Sequence, residues 1–266
     1  MKKVLSILLV LMITTANVAL AATYNSTITA ILDTYETQDT SAENINHQKV
    51  NGVYRTVELL AIIANELDTS VGANSNSVKN ILSRYSTAND DAEYVSHQII
   101  NGTYRTVELL EIIAYECDKY EVYESLIEGI HSDFVSMDAS SESANHQIVN
   151  GLYRSVALLY VIAHELDTAG SYTEAIAQIY DTYELQNDAA DNVYHQMVNG
   201  AYRSVELLTV IAYLLDEYGI YKTYIDNAID TYRENDEEAE NVNHQMVNGF
   251  YRTVELLAII AYELDS

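Results

Sequence analysis

The chain has no proline, no tryptophan, one cysteine and two phenylalanines in 266 residues. Without proline, nothing in the sequence forces a helix to end. A single cysteine excludes an intramolecular disulfide and a cysteine-based metal site. Cys117 also stands where the corresponding positions carry Leu67, Leu166 and Leu264, which marks it as core. Positive charge is scarce, with 13 Lys and Arg against 40 Asp and Glu, a net charge of −27. Such a chain repels nucleic acid and anionic membrane surfaces and admits cations or basic partners. Tyrosine makes up for the missing aromatics, with 23 residues, so the aromatic surface carries hydroxyls.

Long apolar runs are missing too, except at the start. Lys2 and Lys3 precede an apolar stretch from Val4 to Ile13, and Ala19-Leu20-Ala21 fits a small-x-small cleavage site. This reads as a secretory signal peptide over residues 1–21. The expectation is an exported protein, periplasmic or extracellular, with residues 22–266 as one helical domain. No later run reaches membrane-spanning length.

What the chain does have is internal repetition. The string HQMVNGFYRTVELLAIIAYELD begins at His244, and near-copies begin at His47, His97, His146 and His195. A fixed period of about 49 residues is the signature of a repeat architecture. An aromatic stands twelve residues before each of these histidines: Tyr35, Tyr85, Phe134, Tyr183 and Tyr232. Apolar residues precede it at helical spacing, as in Ile28, Ile31 and Leu32, predicting a short helix of roughly three turns. Thr40 with Glu43, Asp90 with Glu93, Asp188 with Asp191 and Glu237 with Glu240 predict the start of a second helix by their capping pattern. The expected fold is all-α, with five tandem αα-hairpin repeats at about 24–68, 74–118, 121–167, 171–216 and 220–265. These would form a solenoid or a closed α/α toroid.

Asn-Gly is ordinarily a turn signal, yet it sits inside the second helix of every copy. Phase decides its role. At about 100° per residue from His244, Ala239 and Val242 fall on the same arc as Leu257 and Ile260. A turn would have no reason to preserve that phase, so the helix is predicted to be continuous. A glycine within it costs about 1 kcal/mol relative to Ala. Gly52, Gly102, Gly151, Gly200 and Gly249 are therefore expected to mark the close approach of a neighbouring helix.

The opposite face carries His, Gln, Asn, Tyr and Arg in all five copies. Its candidate ladder is His47, Asn51 and Arg55; His97, Asn101 and Arg105; His146, Asn150 and Arg154; His195, Asn199 and Arg203; and His244, Asn248 and Arg252. Arg is followed three residues on by Glu except in the third copy, which has Ala157. One reading makes this face an internal network in which polar groups satisfy one another. A second makes it the binding site of an extended peptide or glycan, since amides pair with peptide groups and hydroxyls and Arg clamps carboxylates. The register resembles the asparagine ladders of armadillo-type repeats only in being a ladder. A third reading is divalent-metal binding through Glu43 with His47, Glu93 with His97, Glu142 with His146, Asp191 with His195 and Glu240 with His244. One His and one carboxylate per copy fall short of a tight zinc site.

Five near-identical faces suit valency rather than catalysis, which needs one asymmetric site. No metalloprotease, nucleophile-elbow or phosphate-loop motif is present. The reading is a non-catalytic binding or scaffold protein requiring no cofactor, with a protein, peptide or glycan partner or self-association. Open solenoids end in atypical caps, whereas the last copy here nearly repeats the first. The ends must close on each other or stack on further copies as a filament or surface layer. If a ring forms, its centre is expected to hold the His, Asn, Arg and Gln face.

Overall fold

The computed structural model describes residues 24–68, 74–141 and 143–265. The expected signal peptide and Glu142 lie outside them. Among the described residues there are ten α-helices and no strand. Short and long helices alternate along the chain. The short ones are α1 (Asn25–Ser41), α3 (Ser75–Asp90), α5 (Glu124–Ala139), α7 (Thr173–Asp188) and α9 (Lys222–Glu237). The long ones are α2 (Ile45–Glu66), α4 (Val95–Cys117), α6 (Ala144–Leu166), α8 (Val193–Leu215) and α10 (Val242–Leu264). Among the described residues no helix is long and apolar enough to cross a membrane.

The boundary between short and long helices departs from the capping expectation. Thr40, Asp90, Asp188 and Glu237 lie in the last turn of the short helices, which run 16 or 17 residues rather than three turns. The long helices start later, at Asn44, Ser143, Asn192 and Asn241, whose side chains accept backbone N–H groups of the first turn. Tyr94 takes this position in α4 without a side-chain cap. Asx and Ser caps satisfy donors that a helix start otherwise leaves open. All five long helices run unbroken through Asn-Gly, as the phase predicted.

Each long helix packs against two others: α2 on α4, α4 on α6, α6 on α8, α8 on α10, and α10 back on α2. The short helices pack outside, each against the long helix that follows it and the one before it; α1 accordingly packs on α2 and on α10. The glycines set the spacing of the long helices. A Cβ on Gly102 would lie 2.0 Å from Val53 Cγ1, and one on Gly151 2.2 Å from Thr103 Cγ2. Gly200 meets Leu152, Gly249 meets Ala201, and Gly52 meets Phe250 at 2.7 Å. In every case the neighbour is the residue after the adjacent helix's own glycine, so the long helices run parallel and in register. The variable positions Val53, Thr103, Leu152, Ala201 and Phe250, which carry no pattern in the sequence, are the knobs that enter these notches.

The main core lies between the two sets of helices. Ile28, Leu59, Leu109, Ile127, Leu158, Ile176 and Leu207 are buried there, as are Tyr183 and Tyr232. Full burial of such a side chain contributes about 1.5–3 kcal/mol. A second apolar cluster, including Ile99, Ile148, Met197 and Met246, lies on the inner face toward the start of the long helices.

Candidate functional site

The repeated polar residues point toward the outer helices, not toward the centre. Asn51, Asn150, Asn199 and Asn248 are buried, and each donates from Nδ2 to a carbonyl of the preceding short helix. The acceptors are Tyr35 O at 3.0 Å, Phe134 O at 3.1 Å, Tyr183 O at 3.0 Å and Tyr232 O at 2.9 Å. A carbonyl keeps a second lone pair for such a donor. Asn101 reaches one turn further and donates to Ala88 O at 2.9 Å.

The arginines are held as well. Arg55, Arg105, Arg203 and Arg252 donate from Nη1 to Glu58, Glu108, Glu206 and Glu255. Arg55 and Arg203 also reach Gln38 and Gln186 of the outer helices, at 3.0 and 2.9 Å. In all five copies the guanidinium lies 4.7–5.0 Å from the centre of the preceding tyrosine ring. Each of those tyrosines packs on the aromatic of the next short helix: Tyr54 on Tyr85, Tyr104 on Phe134, Tyr153 on Tyr183, Tyr202 on Tyr232, and Tyr251 on Tyr35. Arg154, opposite Ala157, has Met137 Sδ at 3.0 Å and Asp133 at 3.9 Å in place of the glutamate. Gln48, Gln196 and Gln245 bind the ends of the short helices, Gln245 reaching Asp236 at 3.3 Å.

Histidine is the exception. His97, His146, His195 and His244 are exposed and His47 is half-buried, all at the end where the long helices begin. His146 Nδ1 meets the capping Ser143 Oγ at 3.1 Å, and Asn241 Nδ2 donates to His244 Nδ1 at 3.3 Å. The ring of exposed Tyr94 stands edge-on to His97 at 5.3 Å. Asn145 donates to the hydroxyl of exposed Tyr194 at 3.2 Å. His244 Nδ1 lies 4.0 Å from Glu240. Among the described residues no three His, Cys, Asp or Glu side chains converge to hold a metal ion.

The centre is apolar, which corrects the expectation of a polar middle. A cavity of about 50 Å³ lies between the long helices, lined by three layers with one residue from each helix per layer. The first layer is the set of knobs and the third is Leu60, Leu110, Leu159, Leu208 and Leu257. Hydroxyls form the second, but Thr56, Thr106, Ser155 and Ser204 donate to the carbonyls of their own glycines at 2.9–3.0 Å. The physical reason lies in the notches. The glycine edge must meet the neighbouring long helix, which turns the polar arc outward to the short helices.

Two features of the site went unread in the sequence. Lys49 takes the place of Ile99, Ile148, Met197 and Met246, one turn before the first cavity layer. It is buried, its Nζ donates to Asn243 Oδ1 at 2.6 Å, and desolvation lowers its pKa. The signal was visible as the only charge at that motif position. The aspartate ending each motif is the second. Asp118 accepts from Tyr123 N at 2.8 Å and Asp167 from Tyr172 N at 2.9 Å. Asp265 accepts from Tyr24 N at 3.0 Å, 241 residues away in sequence.

No protein-family model, curated protein or solved structure matches this chain.

Proposed function

We propose that the chain is an exported, non-catalytic binding or scaffold module: a closed α/α toroid of five αα-hairpin repeats, with long helices inside and short ones outside. It meets an extracellular glycan or peptide through the rim where the long helices begin. The observation that carries this reading is the division within the repeated motif. Asn, Arg and Tyr in every copy, and Gln48, Gln196 and Gln245, have partners inside the fold, which accounts for their recurrence. The histidines recur just as strictly but lie at the surface beside Tyr94, Tyr194 and the exposed Asn243. Imidazoles, amides and aromatic faces together suit polyhydroxylated or peptide ligands.

Contacts between α10 and α2 favour a closed monomer over end-to-end stacking, because the two ends of the array cover each other. The test joins two measurements on the mature protein. Sedimentation at rising concentration should give one monomeric species, and growth would favour the self-assembling alternative. Glycan and peptide arrays should then show binding that the triple variant His97→Ala, His146→Ala, His195→Ala loses at unchanged melting temperature. Wild-type protein that binds neither array, or a variant that binds as well as wild type, would refute the rim.

A further inference from the structure

We propose that the axial cavity and Lys49 form a binding site for a straight-chain carboxylate: the tail in the cavity, the head at the lysine. This goes beyond the rim reading and does not rest on it, since the rim can fail to bind a glycan or peptide while the cavity fills.

The cavity comes first. Its volume of about 50 Å³ is several times the roughly 10–15 Å³ that one water needs on this measure. Water inside it would find few partners, because four hydroxyls of the middle layer already donate to helix carbonyls. An apolar cavity of about 150 Å³ takes up benzene, so a tail enters this smaller space as the flexible side chains at its end re-pack around it. From Val53 to Leu60 is seven residues, about 10 Å along the helices, a length that an unbranched chain can follow.

Lys49 supplies the second, independent observation. A lysine where the other four long helices carry Ile or Met buries a charge that the packing does not require. Its ammonium has three donors, and Asn243 Oδ1 is the acceptor it reaches. It stands at the end where five parallel helices begin, and helix N-termini favour anions. Level with Lys49, one turn before the first cavity layer, stand Met197 and Met246, flexible side chains that re-pack around a guest. A carboxylate at Lys49 would replace a neutral acceptor with a charged one, and charge-assisted bonds are roughly twice as strong.

The probes are octanoate and octanol, equal in tail and different in head, titrated calorimetrically into the mature protein. Wild type should bind one octanoate per chain, about tenfold more tightly than octanol. Lys49→Met installs the residue of α8 and α10, so it should fold normally, keep octanol affinity and lose the preference for octanoate. Ser204→Leu, which fills the middle layer, should lose both ligands at retained helicity; should it not fold, Ser155→Val takes its place. Wild type that binds neither probe at millimolar concentration would overturn the site. A Lys49→Met protein that still prefers octanoate would overturn the role of the lysine.

Discussion

Replacing Gly102 with alanine sets two effects of opposite sign against each other. In an exposed helix the change stabilises by about 0.8–1 kcal/mol, because alanine is the better helix former. Here the new methyl would stand 2.0 Å from Val53 Cγ1 and 3.0 Å from Tyr85 Oη. Val53 is β-branched and stiff, and its neighbours are the knobs of a closed circuit, so it cannot swing aside. Overpacking of this order costs about 1–3 kcal/mol. The net expectation is a loss of up to about 2 kcal/mol, a fall of up to about 8 °C for a chain of this size. Gly129 lies on outer helix α5 with nothing within 4 Å of its would-be Cβ. There the same substitution should raise the melting temperature by a few degrees.

The assay is thermal unfolding followed by circular dichroism, with Val53→Ala added as a third variant. Val53→Ala removes the clashing methyl. In the double variant the residual contact is between Cβ atoms at about the 3.3 Å seen from Val53 Cβ. Alone, Val53→Ala leaves a void; with Gly102→Ala it should be partly repaired, giving a favourable coupling of about 1–3 kcal/mol. If Gly102→Ala stabilises as much as Gly129→Ala, or the cycle shows no coupling, the glycines are not notches and the parallel register loses its physical basis.

Asn150→Ala should lower stability by about 1–3 kcal/mol by removing the buried bond to Phe134 O and stranding polar groups. His146→Ala, at an exposed position of the same motif, should leave thermal unfolding unchanged. Tyr183→Phe removes a fully buried hydroxyl without a hydrogen-bond partner, and Phe134 occupies the same place in the third copy; the melting temperature should hold or rise. Glu263 is pushed up to about 7 by burial and by Asp216 and Glu217, so the folded state holds this proton more tightly than the unfolded chain does. Stability should fall as pH rises from about 4.5, the ordinary value, to about 7. Glu263→Gln should flatten that fall and exceed wild type at alkaline pH in urea titrations.

Much of the fold could be read because its cause is local. Helical phase across Gly249 required a continuous helix, and the cost of a mid-helix glycine required a close neighbour. The helix starts were misplaced by about four residues because Thr40 and Glu43 satisfy a capping pattern that Asn44 in fact fulfils. Both residues are chemically able; the longer outer helix decides between them. The direction of the polar arc was not legible. Phase says which residues share a face, but not whether that face meets the axis, the outer helices or solvent. That depends on acceptors such as Tyr35 O, which belong to another element. The roles of Lys49 and Asp265 are not legible for the same reason: their partners, Asn243 and Tyr24, are 194 and 241 residues away.

The contacts of Asp265 explain why the last copy need not differ from the first. Within the chain, Asp118, Asp167 and Asp216 each accept the backbone N–H five residues on, fixing the start of the next short helix. Asp265 makes the same bond to Tyr24, 241 residues away, Tyr251 packs on Tyr35, and Gly52 receives Phe250. The joint between α10 and α2 therefore uses the same side chains as the joints the backbone covers. An open array would require its two ends to be polar. In the closed toroid proposed above, both ends of the array instead present interior surfaces, and a terminal copy that departed from the motif would weaken the joint. In this closed form, recurrence of the glycines, asparagines, arginines and packed aromatic residues follows from the joints they make, while the knobs that enter the notches vary. It does not follow for the histidines, which face outward, and that asymmetry is the strongest reason to look for a ligand at their rim.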